Sequence, residues 1–291
     1  MIRRFASGVA QEHVGKGWVT RFVNKHHDQL ISRWTSGMDY VRHQADSEAK
    51  YKLYFDLLHG KTEEYDVLPE NTYNMDEKGF MIRVIGRSKR IFSRATWEKK
   101  KKTESVQDGS REWITVLACV GADGTVLPPG LIYQGAKSNI QSPWVQDIKP
   151  KQHKVFVGAS PSGWSNNELG LAWLEQVFNR FTKKKARRNW RLLILDGHGS
   201  HVTLEFIEYC HQNKILLLIF PPHSTHTLQP LDVVMFKSLS SGYSTQLTER
   251  THKSLGFDAV KKGDFFLMFW AAWTFSFTPE RSRKSFEATG I

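Results

Sequence analysis

The sequence predicts an α/β domain built on a mixed sheet, preceded by a small all-helical segment. Two wholly apolar runs, RLLIL (191–195) and ILLLIF (215–220), read as buried strands, and a helix-period stretch separates them. Continuous apolar strands joined through helices imply parallel pairing covered on both faces. A β-branched run, WITVLACV (113–120), meets the turn signal GADG (121–124) and a following run to 133. That pattern reads as a hairpin and adds antiparallel pairing.

The elements follow in order. Residues 1–47 are polar and helical, with Trp18 and Phe22 on one helix face and Val14 and Val19 near it. Residues 48–70 hold a short helix with Tyr51, Tyr54, Phe55 and Leu58 on one side, then a connector punctuated by Gly60, Pro69 and Asn71. An extended run, TYNM (72–75), closes at Asp76, and the 113–133 hairpin comes next. Ser165 with Glu168 has the form of a capping box, opening a helix that carries Leu169, Trp173, Leu174, Val177, Phe178 and Phe181. The strand 191–195 closes at Asp196, and a helix with Leu204, Phe206, Ile207 and Tyr209 leads to the strand 215–220. Pro221 and Pro222 stop that strand, and the chain returns to helix after Pro230. The count is five strands. The most apolar stretch, FFLMFWAAWTFSF (265–277), is shorter than a bilayer requires and contains Thr274 and Ser276, so it reads as a buried helix, with no membrane partner.

Composition narrows the classes. A hydrophobic content of 40% is enough for a real core and excludes wholesale disorder. Two cysteines, Cys119 and Cys210, exclude a disulfide scaffold and any CxxC zinc pattern. The start, MIRRFASGVAQEH, lacks the apolar core of a signal peptide, so a soluble protein of a reducing compartment is expected. The formal net charge is +12, and because residues 1–70 are neutral, the whole excess falls in 71–291. One cluster runs from Arg83 to Lys102 and includes Arg87, Lys89, Arg90, Lys99, Lys100, Lys101 and Lys102. The other, KKKARRNWR, includes Lys183, Lys184, Lys185, Arg187 and Arg188. Flanking the same predicted sheet, they suggest phosphate binding through counterion release. For either run alone, a solvated loop or a nuclear-localisation patch is the alternative.

Three aspartates, Asp76, Asp196 and Asp232, stand at the carboxyl ends of apolar strands or just beyond them. Ligand sites of open α/β sheets lie outside those ends. Three gathered carboxylates repel one another unless a divalent cation neutralises them. Beside basic clusters, that arrangement points to metal-assisted chemistry on phosphodiester bonds. Singly, each aspartate has a blander reading: Asp196 as a helix cap, Asp232 as a first-turn residue.

The runs YNMDEKGF (73–80), REWITVLACVGADGTVLPPGLIYQG (111–135), GWSNNELGLAWLE (163–175), LILDGHGSHVTLEFIEYC (193–210) and FPPHSTHTLQPLDVVMFKSL (220–239) resemble the DDE-type endonuclease domain of pogo-like transposases, of the mariner superfamily, and fungal members of it most. The resemblance extends from about 65 to the end and includes SFEATGI. It implies a ribonuclease-H-like fold and an Asp-Asp-Asp triad of Asp76, Asp196 and Asp232, with 35 residues between the last two. It also implies two Mg²⁺ (or Mn²⁺) ions, double-stranded DNA as partner (transposon ends and target), a nuclear location and a homodimer. GKGWVTRFVNKHHDQL (15–30) is similar, less specifically, to a helix-turn-helix unit of centromere-protein-B-like DNA-binding regions. Trp18 and Phe22 would form its core, and Arg21, Lys25 and Arg33 would contact phosphate; a small helical packing module is the alternative. The implied organisation is a partial DNA-binding region (1–47), a helical linker (48–70) and a catalytic domain (71–291), with the family pattern truncated at both ends. A catalytically silent, domesticated relic that binds DNA in the nucleus is the competing function.

Four histidines, His198, His201, His223 and His226, flank the aspartates. Without suitable thiolates they do not make a structural zinc site, and are expected to shape the loops around the triad, His198 or His201 reaching substrate phosphate. Ser200 and Ser224 beside histidines lack the GxSxG context of a hydrolase. Glu77 points away from Asp76 if the strand continues, and is expected to support the site from behind. Trp97, Trp113, Trp144 and Trp164 read as base-stacking candidates or, more simply, as packing.

Overall fold

In the computed structural model, residues 6–7, 10–15, 17–27, 47–82, 112–135, 139–197, 203–253 and 260–291 are described. The chain divides into two units, Met1–His43 and Gln44–Ile291. In the first, α1 (Trp18–Lys25) buries none of its residues. The indole of Trp18 stacks on Phe22 with centroids 4.8 Å apart, so the two expected core residues pack on each other along their own helix.

The second unit opens with α2 (Glu48–Glu64) and is organised by six strands: β1 (Thr72–Met81), β2 (Trp113–Gly121), β3 (Gly130–Gln134), β4 (Phe156–Ser160), β5 (Arg191–Leu195) and β6 (Ile215–Ile219). Their order is β4-β3-β2-β1-β5-β6. β1, β2 and β3 are antiparallel neighbours, while β1, β5 and β6 run parallel. An antiparallel three-stranded meander extended by two parallel strands beside β1 is the ribonuclease-H-like arrangement. The sheet has one strand more than the sequence predicts, because FVGAS pairs in parallel with the outer edge of β3. β3 is also shorter than expected. Pro128 and Pro129 have no N–H to donate, so only an isolated bridge, Val120 to Val126, precedes Gly130.

Helices cover both faces. α3 (Asn167–Trp173), a π-helical turn (Leu174–Asn179), α4 (Arg180–Ala186) and α5 (Leu204–Gln212) lie on one side. Trp173, Phe178 and Phe206 pack there against Tyr73, Met75, Leu117, Leu193 and Leu195. α3 is capped by Asn166, whose side chain accepts from the Leu169 N–H, rather than by the Ser165 of the expected capping box. On the opposite face a second π-helical turn (Leu231–Met235), α6 (Phe236–Lys253), α7 (Lys262–Ser276) and α8 (Pro279–Thr289) cover Phe80, Ile114, Val116 and Ala118. α7 is the expected buried helix, with Phe265, Phe266 and Phe269 in that core. Beside it, Tyr54 and Leu58 of α2 pack on Leu192, Ile194, Leu218 and Phe220. The segment read as a linker is therefore part of the sheet's covering layer.

Candidate active site

β1 is longer than predicted. Its pairing with β2 continues to Met81, opposite Trp113, so Asp76 lies in mid-strand and does not end it. What ends near Asp76 is the other neighbour: the last pair between β1 and β5 is Asn74 with Ile194. Asp76 stands two residues further along β1, and Asp196 is the first residue beyond the end of β5. Side chains alternate along a strand, so Asp76 shares the face of Asn74 and Phe80. The helical turn that carries Asp232 covers this same face through Leu231 and Met235. π-turns inside helices recur at functional sites, and here one presents a carboxylate in its first turn. Asp196 does not cap the next helix; Thr203 does, accepting from the Phe206 N–H at 3.3 Å.

The electrostatics follow from this placement. Asp76 is buried, with 8% of its surface exposed. Burial pushes its carboxyl well above the ordinary carboxylate range, the charges of Asp232 and Asp196 push it further, and the Glu77 N–H, donating to Asp76 Oδ1 at 2.7 Å, opposes them. The Gln229 amide is near enough to moderate the rise, yet neither of its polar atoms completes a hydrogen bond of good geometry, although the residue is fully buried. Asp232 is solvent-exposed, but local desolvation raises its carboxyl, with Lys78 and His226 opposing and Asp196 reinforcing. Asp76 thus senses both other aspartates, and Asp232 senses Asp196. Among the described residues, however, no three such side chains are drawn close enough to hold a metal ion.

Asn74 binds these segments together. Its Nδ2 donates to Ile194 O at 3.0 Å, and its Oδ1 accepts from the Leu231 N–H at 3.2 Å. Neither Asn74, Gln229 nor Lys78 is singled out by sequence reasoning. The available signal is the alternation Asn-Met-Asp, which puts Asn74 on the Asp76 face, and the position of Gln229 inside the QPLD run.

Other candidates fall elsewhere. Glu77 points to the far face and accepts a hydrogen bond from the Ser165 hydroxyl. His226 is close enough to influence Asp232, whereas His223 is exposed with a left-handed φ of 63°. Lys183, Lys184, Arg187 and Arg188 are exposed at the start of β5, whereas the carboxylates lie at its finish. The length of the strand, roughly 13 Å at ~3.3 Å per residue, separates them. Lys185 is engaged by Asp123 of the hairpin turn. Arg21 and Lys25 are exposed on α1. Arg33, Arg87, Lys89, Arg90, Lys99, Lys100, Lys101, Lys102, His198 and His201 lie outside the described residues. Of the tryptophans, Trp113 and Trp164 form a ring pair 4.6 Å apart, with Trp164 half exposed.

Strand order and carboxylate placement together define an α/β domain of the ribonuclease-H-like class. Residues 110–286 match the DDE superfamily endonuclease family, and the chain belongs to that family. The matched region contains Asp196 and Asp232 and begins after Asp76. Among curated relatives, a Cochliobolus lunatus protein named MFS-type transporter clz9 is 34% identical over 227 residues, covering 78% of this chain and 24% of that one. The human pogo transposable element with ZNF domain is 22% identical over 226 residues, 77% of this chain and 14% of that one. The mouse pogo transposable element with KRAB domain is 28% identical over 189 residues, 64% and 28% of the two chains. The chain thus spans less than a third of the length of each of these relatives. Despite the transporter name, no helix among the described residues is long and apolar enough to cross a membrane. Among solved structures, the Mos1 transposase paired-end complex with left transposon end is matched at 14% identity and a TM-score of 0.49, over 97% of this chain and 72% of that one.

Proposed function

We propose that the chain is a divalent-metal-dependent DNA endonuclease of the transposase type, which hydrolyses phosphodiester bonds at the ends of an element and joins the freed ends to target DNA. The observation that supports this reading is electrostatic: Asp76, Asp196 and Asp232 come from three separate elements, the charges of Asp232 and Asp196 act on Asp76, and that of Asp196 acts on Asp232. The donor set fits Mg²⁺ or Mn²⁺, which favour carboxylate and amide oxygens. A buried Gln229 Oε1 without a partner beside a carboxyl of elevated pKa is the environment such an ion would relieve. Asp76, Asp196 and Asp232 would be the residues that hold the metal, as two ions. When bound, the ions supply charge neutralisation and activation of water at phosphorus.

The chain's own residues do the rest. Asn74 holds the carboxylate-bearing segments, and Lys78, beside Asp232, offers a cation to a phosphate oxygen. In the hydrolytic step the oxygen of water bonds to phosphorus and the bridging P–O bond to the 3′ oxygen breaks, leaving a 3′-hydroxyl. That hydroxyl then attacks a target phosphodiester, displacing its 3′ oxygen. Lys183, Lys184, Arg187 and Arg188, with the 83–102 cluster, would hold backbone phosphates, and residues 1–47 would add DNA contacts through Arg21, Lys25 and Arg33. Residues 71–291 would be the catalytic part, working in the nucleus as a homodimer on double-stranded DNA.

Asp196→Asn should abolish Mg²⁺- or Mn²⁺-dependent nicking of supercoiled DNA while leaving DNA binding within about twofold. Equal nicking by that variant overturns the assignment. A second reading, a catalytically silent DNA-binding descendant, draws support from one observation: no ready-made cluster of three metal ligands exists among the described residues. Salt-titrated DNA binding without any metal-dependent nicking by the wild-type chain would favour it.

A further inference from the structure

Asn74 is fully buried in the middle of the sheet, an expensive place for a primary amide unless its polar atoms are matched. Both are. Nδ2 reaches Ile194 O, two residues before Asp196, and Oδ1 takes the N–H of Leu231, one residue before Asp232. Asn74 is itself two residues before Asp76 on the same strand face. One side chain therefore touches all three segments that bear the carboxylates, within two residues of each.

The strand ladder does not require this. Asn74 and Ile194 are already partners in the parallel pairing of β1 and β5. The link from β1 to the helical turn is different in kind: the Leu231 N–H is at the start of a helix, where early N–H groups lack partners within the helix itself. An apolar side chain could fill the same volume. It could not set the height of that turn against the sheet.

We propose that Asn74 is a positioning residue that sets the spacing of Asp76, Asp196 and Asp232 for divalent-cation binding. This rests on the endonuclease reading above. By gripping one segment through its donor and another through its acceptor, Asn74 opposes the drift that carboxylate repulsion would drive. Loss of a group that orients metal ligands typically weakens metal affinity about 10–100-fold.

The test uses the full chain, stripped of metal and titrated with Mn²⁺ while free Mn²⁺ is followed by electron paramagnetic resonance. Asn74→Leu removes both hydrogen bonds at similar volume; Asn74→Ser does so with less steric demand and carries the test if the leucine variant does not fold. Ser282→Ala is the control. It deletes another fully buried hydrogen bond, Ser282 Oγ to Gly121 O at 2.8 Å, outside the three carboxylate-bearing segments. The expected result is an Mn²⁺ dissociation constant raised about 10–100-fold in a folded Asn74 variant and unchanged in Ser282→Ala. At saturating Mn²⁺, kcat for nicking should fall while KM for DNA stays constant. Wild-type affinity in a folded Asn74 variant, or equal loss in Ser282→Ala, overturns the proposal and leaves the endonuclease reading intact. A wild-type chain that neither binds Mn²⁺ nor nicks DNA overturns both.

Discussion

Replacing Asp76 by Asn should stabilise the metal-free protein at neutral pH. The wild-type carboxylate is buried and faces two like charges, so its ionisation opposes folding. The charge of Asp232, and less that of Asp196, adds to the cost of burial. A like charge about 6 Å away costs about 3 kcal/mol at an effective dielectric near 20. Asp196 is half-buried and Asp232 exposed, so solvent reduces the net effect to about 1–2 kcal/mol. For a body of this size that corresponds to a rise in Tm of about 2–8 °C. The sign of the pH dependence is set by the raised carboxyl. Well below pH ~4, the ordinary carboxylate value, both folded and unfolded wild type are largely protonated at this position, and the amide variant has little advantage. As pH rises through the elevated folded value, the wild type loses stability and the advantage grows. Differential scanning calorimetry in EDTA across pH 4–8 measures it. Saturating Mn²⁺ should reverse the order, because the ion stabilises only the wild-type site. An Asp76→Asn chain less stable than wild type in EDTA, or a difference independent of pH, would refute the electrostatic account.

Three further outcomes are expected. Gly79→Ala places a methyl 1.8 Å from the Trp113 ring and should lower stability by about 1–3 kcal/mol, with a changed near-ultraviolet circular dichroism signal from the Trp113–Trp164 pair. Arg191, buried with its guanidinium on Asn179 Oδ1, Thr182 Oγ1 and Asn213 O, has neutral partners here; Arg191→Met should cost about 2–4 kcal/mol in chemical denaturation by removing the donor from those three acceptors. Changing Lys183, Lys184, Arg187 and Arg188 together to Ala should flatten the salt dependence of DNA binding by about 0.9 for each phosphate no longer neutralised, while the rate of nicking a short duplex at saturation stays unchanged.

The parts of the fold legible in sequence are those whose signal is local. β5 and β6 are continuous apolar runs, and β2 is β-branched before a turn, so each announces itself. β4 does not: FVGAS has small residues at three of its five positions, and only its place beside β3 makes it a strand. Strand length is equally non-local. TYNMDEKGFM becomes polar at Asp76 and looks finished, yet β2 continues to pair with it to Met81. The aspartates are legible because acids after apolar strands stand out. Asn74 does not stand out, since its importance lies in partners 120 and 157 residues away. The basic run at 183–188 shows its charge in sequence, but only the direction of β5 reveals that it occupies the opposite pole of the sheet from the acids.

The separation in chain position has a temporal consequence. β1 leaves the ribosome early, while the turn bearing Asp232 arrives some 156 residues later. Contacts this distant in sequence close late and slowly. On the endonuclease reading proposed above, a nascent or prematurely terminated polypeptide that ends before this turn would hold at most two of the acids, so its site would stay incomplete until synthesis had passed residue 232.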